Sequence, residues 1–279
     1  MDRQRFRAFS FVDRILSVEP SGRVVGQFQL AHHLDRFPQA LVAEAIGQLA
    51  AWQSMAQLQF QHRPVAALAG ETLYHAEARP GDLLTLQVDL ESCDSDAVAY
   101  CGEARCGEQL ILQLNHCSGA MLPQDQFDDP SLVAGDFETL RGPGAEPGRL
   151  QQAPRIKPSA AEQQPDGSLV SALQVPDQAD FFLDHFPRNP VFPATLLMQA
   201  LSEMLVGAVA RAGQPDPRLR AMRRVKVRSW IHPGDHVILK AEGFNPAEPS
   251  SPVKLTALSH GKVVASAMAE LAVGAAPST

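Results

Sequence analysis

Apolar and polar residues alternate along most of this chain. Two longer stretches break the alternation: QALVAEAIGQLAA, which follows Phe37-Pro38, and ATLLMQALSEMLV, which follows Phe192-Pro193. Alternation with period two predicts half-buried strands, whereas an apolar run of that length predicts a helix. Strands are expected after the first helix at Leu84–Glu91, Ala97–Arg105 and Gln109–Leu122. After the second they are expected at Val237–Phe244, Val253–Ser259 and Lys262–Ala272. A strand hairpin is expected ahead of each helix.

The two sets of elements follow the same grammar. Gly22-Arg-Val-Val-Gly-Gln-Phe-Gln-Leu parallels Gly167-Ser-Leu-Val-Ser-Ala-Leu-Gln-Val, and the two Phe-Pro helices come next. Arg79-Pro80-Gly81-Asp82 then matches His232-Pro233-Gly234-Asp235, each a Pro-Gly turn that launches a strand. Three landmarks in one order point to a tandem duplication with two copies. Residues 1–123 form the first half and residues 166–279 the second. Between them, residues 124–165 are rich in Pro, Gly, Gln and acid and read as a long connector, with one short helix around Ser131–Leu140.

The first helix carries many small residues: Ala40, Ala43, Ala45, Gly47, Ala50 and Ala51. Small side chains let a helix sit close against a curved sheet, and apolar character all round predicts burial on most faces. The expected fold class is α+β, a double hotdog. It has two antiparallel sheets, each wrapped around a long central helix, joined as a pseudo-dimer.

Composition narrows the function classes. The chain has 279 residues, 45% of them hydrophobic, which permits a large core. A formal charge of −7 argues against a nucleic-acid binder with a broad basic face. Local basic groups remain: Arg3, Arg5 and Arg7 at the start, and Arg223, Arg224, Lys226 and Arg228 later. Cys93, Cys101, Cys106 and Cys117 fit no metal or redox spacing and read as small strand residues in a reducing compartment. The opening MDRQRFRAFSF lacks an apolar signal region, and no run is long enough to cross a bilayer. A soluble, cytoplasmic protein without membrane or nucleic-acid partners is expected, as a monomeric pseudo-dimer or a homodimer.

The most informative segment is Ala179-Asp-Phe-Phe-Leu-Asp-His185-Phe-Pro-Arg-Asn-Pro190-Val-Phe-Pro193-Ala-Thr-Leu. It closely resembles the His-Phe-Pro active-site loop of the 3-hydroxyacyl-(acyl-carrier-protein) dehydratases of bacterial fatty-acid synthesis. The first half carries the other part of that family's signature, Glu44-Ala-Ile-Gly-Gln48-Leu-Ala. Phe11-Val-Asp-Arg-Ile-Leu-Ser-Val-Glu-Pro looks like the family's first strand and turn. The resemblance implies a substrate carried as a phosphopantetheine thioester, on acyl carrier protein or CoA, with no further cofactor and no metal. In the family, one protomer's loop histidine faces the helix acid of its partner, giving two equal sites.

Departures from that pattern matter as much as the matches. Gly22 and Phe37 lie fifteen positions apart, but Gly167 and Phe192 lie twenty-five apart, so the first half lacks ten loop residues. The missing piece corresponds to the stretch with His185. In the second half the position equivalent to Glu44 is Gln199, an amide that does not ionise. Each half is deficient alone, and the deficits are complementary. One complete site is expected, His185 with Glu44.

The chemistry explains these residue types. Elimination of water from a 3-hydroxyacyl thioester removes a proton at C2 and protonates the departing C3 hydroxyl. A neutral histidine serves as base and a carboxyl on an apolar helix, with its pKa raised by desolvation, as acid. Gln48, one turn on, is placed to hold that carboxyl or the leaving water by hydrogen bonding. Phe186, Pro187 and Pro193 shape the loop. Backbone N–H groups at helix N-termini are candidates for an oxyanion hole, from Gln39 and Ala40 or from Ala194 and Thr195. Arg188 is a candidate contact for the phosphopantetheine phosphate or the carrier. The Arg223–Arg228 run alternates charge with Val and reads first as a half-exposed strand, with docking of an acidic carrier protein as its second use.

Plainer readings stand beside these. Glu203, one turn beyond Gln199, is a rival acid displaced by about 6 Å along the axis. His32 and His33 read as solvated loop residues, and His232 and His236 as strand-start residues. Two other functions compete with dehydration: a hotdog thioesterase using a helix carboxylate and water, and a non-catalytic module that binds acyl chains or a carrier protein.

Overall fold

The computed structural model describes residues 6–245 and 248–274; Arg3 and Arg5 lie outside the described residues. The first half runs β1 (Arg14–Val18), β2 (Arg23–Gln29), α1 (Gln39–Gln57), β3 (His62–Tyr74), β4 (Leu83–Cys93), β5 (Ala97–Cys106) and β6 (Gln109–Pro123). A helix α2 (Pro130–Arg141) and a two-residue strand β7 (Glu162–Gln163) follow. The second half then runs β8 (Leu169–Gln174), α3 (Phe181–Asp184), α4 (Ala194–Arg211), β9 (Arg218–Val227), β10 (His236–Glu242), β11 (Val253–Ser259) and β12 (Lys262–Ala272).

The repeat seen in the sequence is a repeat of topology. From the outer edge inwards the first half orders its strands β2-β4-β5-β6-β3, and the second β8-β10-β11-β12-β9. Every neighbouring pair is antiparallel, and β1 and β7 extend the two outer edges. The Pro-Gly turns need glycine: Gly81 and Gly234 have φ of 88° and 82°, a region that L side chains adopt only with strain.

The two half-sheets are joined edge to edge: β3 pairs with β9, so they run on as one 12-stranded sheet. The sequence reading missed β3, because Pro64 and Gly70 interrupt it and its burial does not alternate cleanly. Charge pins the seam: Arg223 on β9 ion-pairs with Glu71 across it and with Glu270 on β12 at 2.8 Å. Arg223 is therefore a seam residue, while Arg224, Lys226 and Arg228 stay exposed.

Each long helix packs on its own half-sheet. On α1, Leu41, Val42, Ala45, Ile46 and Leu49 are fully buried. The close approach expected from small residues occurs at β2, where a Cβ on Gly26 would lie 2.9 Å from Leu49. Other small residues of α1 serve a different end: Ala40, Ala43, Gly47 and Ala51 line a cavity.

The connector contains the short helix expected from its sequence, and it is not a loose tether. Asp129 caps α2 by accepting from Ser131 N (2.9 Å) and Leu132 N (3.3 Å). Phe137 on α2 stacks on Trp52 and meets Phe60, with ring centroids 6.3 and 5.5 Å away. Further along, Arg149 is buried against Asp13 and donates to the carbonyls of Phe6 and Ser10, the last at 2.9 Å. Among the described residues no helix is long and apolar enough to cross a membrane. The four cysteines are free, with Cys117 buried and the others half-buried on β4 and β5.

Candidate active site

A cavity of about 270 Å³ lies between the halves, and both Glu44 and His185 line it. Glu44 sits in the second turn of α1, among the small residues that keep space open beside it. His185 ends the single turn α3, where its backbone N–H donates to Phe181 O at 2.9 Å. Phe186 then takes a left-handed φ of 57°, strained for a bulky residue. That turn stacks the Phe186 ring on the imidazole at 4.3 Å, while Phe127 and Trp230 hold Phe186 from behind.

The histidine is oriented by its backbone surroundings. Its Nδ1 is 3.1 Å from Val191 O, so Nδ1 carries the proton that this carbonyl accepts and Nε2 keeps its lone pair. Burial, aided by the nearby positive charge of Arg63, pushes the imidazole pKa down to about 3. The ring is neutral through the ordinary pH range.

Glu44 is held from both halves. Gln48 Nε2 donates to its Oε1 at 3.1 Å, and Thr195 Oγ1, at the start of α4 in the second half, donates to its Oε2 at 2.7 Å. Burial raises the carboxyl above the usual glutamate range, although these two bonds and Arg63 pull the other way. A neutral imidazole and a carboxyl that keeps its proton to higher pH than usual thus share one cavity.

The remaining sequence candidates divide. Ala40, Ala194 and Thr195 line the cavity; Gln39 does not, and its side chain donates to Ala76 O at 3.0 Å. Pro193 caps α4 without a side-chain hydrogen bond, and helix geometry leaves the first N–H groups of α4 without intrahelical acceptors. Pro187 is exposed beside the loop. Arg188 turns to the connector, donating to Asp125 O at 3.1 Å and pairing with Asp129 at 3.2 Å. Glu203 is exposed, away from the cavity, and Gln199 is buried with its Nε2 on Glu203 at 2.8 Å. His33 meets Gln151 O, and His236 opens β10. Among the described residues no His, Cys, Asp and Glu cluster could hold a metal ion.

Sequence reasoning missed several contributors. Arg63 lies on the unrecognised strand β3, 4.8 Å from the Phe186 ring centroid. Thr195 was considered only for its backbone, not for its hydroxyl. The contact of Asp184 with Ala8, Phe9 and Ser10 carried no sequence signal, since it joins residues more than 170 positions apart.

Gln199 offers a check on the lost second site. Its Oε1 is buried with no partner, so Gln199→Met should leave turnover within about twofold and not lower the melting temperature, because an unpaired buried acceptor is removed. A large loss of turnover in that variant would show that the second half's helix position is still in use.

The fold is that of a hotdog protein, with the cavity that holds Glu44 and His185 lined from both halves. A putative oleoyl thioesterase from Lactobacillus plantarum matches with TM-score 0.59 at 13% identity, over 91% of this chain and 97% of that one. An acyl-ACP thioesterase from Bacteroides thetaiotaomicron matches with TM-score 0.58 at 11% identity, over 92% and 100%. At such identities the likeness shows the fold alone. A family model described as ApeI-like, ApeI dehydratase, matches residues 161–267. The 3-hydroxyacyl-(acyl-carrier-protein) dehydratase FabZ of Levilactobacillus brevis is 30% identical over 118 residues, 41% of this chain and 80% of that protein. FabZ of Lactococcus lactis subsp. lactis is 30% identical over 114 residues, 39% and 78%. The chain belongs to the 3-hydroxyacyl-(acyl-carrier-protein) dehydratase family of hotdog proteins.

Proposed function

We propose that this chain dehydrates 3-hydroxyacyl thioesters to trans-2-enoyl thioesters at one composite site, in fatty-acid or polyketide-type synthesis. The substrate would be carried on phosphopantetheine, either of an acyl carrier protein or of CoA. The observation that carries the reading is the Glu44 carboxyl, held by Thr195 from the other half in the cavity that His185 also lines.

In this mechanism His185 Nε2 removes the C2 proton, and the electron pair moves toward the thioester carbonyl. N–H groups of Ala194 and Thr195 are the proposed donors to the developing oxyanion, favoured by the positive end of α4. Collapse of the enolate expels the C3 hydroxyl, which takes the Glu44 proton and leaves as water. His185 then releases its proton and Glu44 regains one, so the net change is loss of one water. Gln48 keeps the carboxyl in place and takes no part in proton transfer.

The test is mass spectrometry of purified protein with 3-hydroxyacyl carrier substrates of graded length. Loss of one water supports the reading. Release of free thiol would make the chain a thioesterase, and binding without change would make it a carrier-binding module.

The pH dependence has a definite shape. A base works above its pKa, so the acid limb of kcat/KM should lie well below the ordinary histidine value of about 6.5. An acid works below its pKa, so the alkaline limb should follow ionisation of Glu44, above the ordinary glutamate range. An acid limb near 6.5 would exclude a desolvated His185 as the base.

A further inference from the structure

Residues Ala8–Phe11 meet the His185 ring directly and reach Glu44 through Gln48. On the second half, Asp184 Oδ2 accepts from Ala8 N at 2.7 Å, Phe9 N at 3.0 Å and Ser10 Oγ at 3.4 Å. Asp184 directly precedes His185, and the Phe9 ring meets the imidazole edge-on with centroids 5.3 Å apart. On the first half, Gln48 donates to Phe9 O at 2.8 Å and accepts from Phe11 N at 2.8 Å. The same Gln48 holds Glu44. The segment is anchored in turn by Arg149, through the carbonyls of Phe6 and Ser10 and the pair with Asp13.

We infer that Ala8–Phe11 is a strap that sets the spacing of His185 from Glu44, with Asp184 and Gln48 as positioning residues at its two ends. This rests on the dehydratase reading for its catalytic consequence. Here a segment of the first half reaches across to the loop of the second half within one chain. The side-chain bonds at either end are part-buried, and hydrogen bonds to a charged carboxylate are stronger than neutral ones. Loss of either end frees the strap, so the second loss adds little.

A double-mutant cycle reads this directly. Asp184→Ala and Gln48→Ala share no hydrogen bond, and independent effects would multiply. The strap predicts that each lowers kcat by roughly 10-fold or more with KM within about threefold, and that the double variant is no worse than the poorer single one by more than about twofold. Asp184→Asn, which keeps an acceptor oxygen, should recover most of kcat. Amide hydrogen exchange supplies a readout free of turnover: Ala8 and Phe9 should lose protection in Asp184→Ala and keep it in Asp184→Asn.

Multiplying effects in the cycle, or unchanged protection of Ala8 and Phe9 in Asp184→Ala, would overturn the strap. If Asp184→Ala does not fold, Asp184→Ser, too short to serve both amides, runs the same cycle and the same exchange measurement. If the wild-type protein dehydrates nothing, the functional reading fails, while the exchange measurement still decides whether the strap holds.

Discussion

Glu44→Gln should lower kcat for dehydration by roughly 10²–10⁴-fold, the range of a well-placed general acid or base. Glutamine is nearly isosteric with glutamate, so the contacts of Thr195 and Gln48 persist in some form while the transferable proton is lost. His185→Ala should cost a similar factor, because no other histidine lines the cavity among the described residues. The two losses should not multiply in the double variant, since base and acid act in one elimination. Mixing the two single variants should restore little, because both groups belong to one chain's cavity. Glu203→Gln should leave turnover almost unchanged. If instead Glu203→Gln is inactive and Glu44→Gln is normal, the acid has been assigned to the wrong helix.

Arg149→Ala should be strongly destabilising, by about 3–5 kcal/mol in denaturant unfolding. The pair it breaks is almost fully enclosed, with Arg149 7% and Asp13 2% exposed at their side chains. Removal leaves the Asp13 carboxylate with Gln29 N at 2.6 Å as its backbone donor, and strands the carbonyls that Arg149 served. Burial already raises the Asp13 pKa despite the guanidinium beside it, and without Arg149 the rise must be larger. The folded variant would then bind a proton more readily than the unfolded chain, so its deficit should shrink as the pH falls toward Asp13 protonation. Arg149→Lys should recover only part of the loss, because one ammonium cannot reproduce a fork that reaches several acceptors. A melting temperature unchanged by Arg149→Ala would mean that the buried Arg149–Asp13 pair contributes nothing to stability.

These two outcomes differ in how far they were legible beforehand. The proposed pair was visible through the resemblance of two local motifs to the dehydratase family: a His-Phe-Pro loop in one half, a helix glutamate in the other, and Gln199 where a second acid would stand. Gln48 was visible as well, since residues four apart share a helical face. Arg149 was not. It lies in a stretch without periodicity, and its partners, Phe6 to Asp13, are more than 130 positions away. Strand β3 was hidden for another reason, because Pro64 and Gly70 read as breakers where the fold uses them inside a long paired strand.

Local pattern determined the duplicated order of strands and helices, the two Pro-Gly turns and the helix in the connector. Those follow from periodicity and backbone preference, which act over a few residues and so are written in adjacent letters. The tertiary structure decided the rest. It joined two sheets into one through β3 and β9, brought Thr195 to Glu44, and set Arg63 beside Phe186. It also ran the segment Ala8–Phe11 from Asp184 to Gln48. Each of these depends on packing and charge between segments far apart in the chain, where desolvation and hydrogen bonding act on whatever the fold brings together.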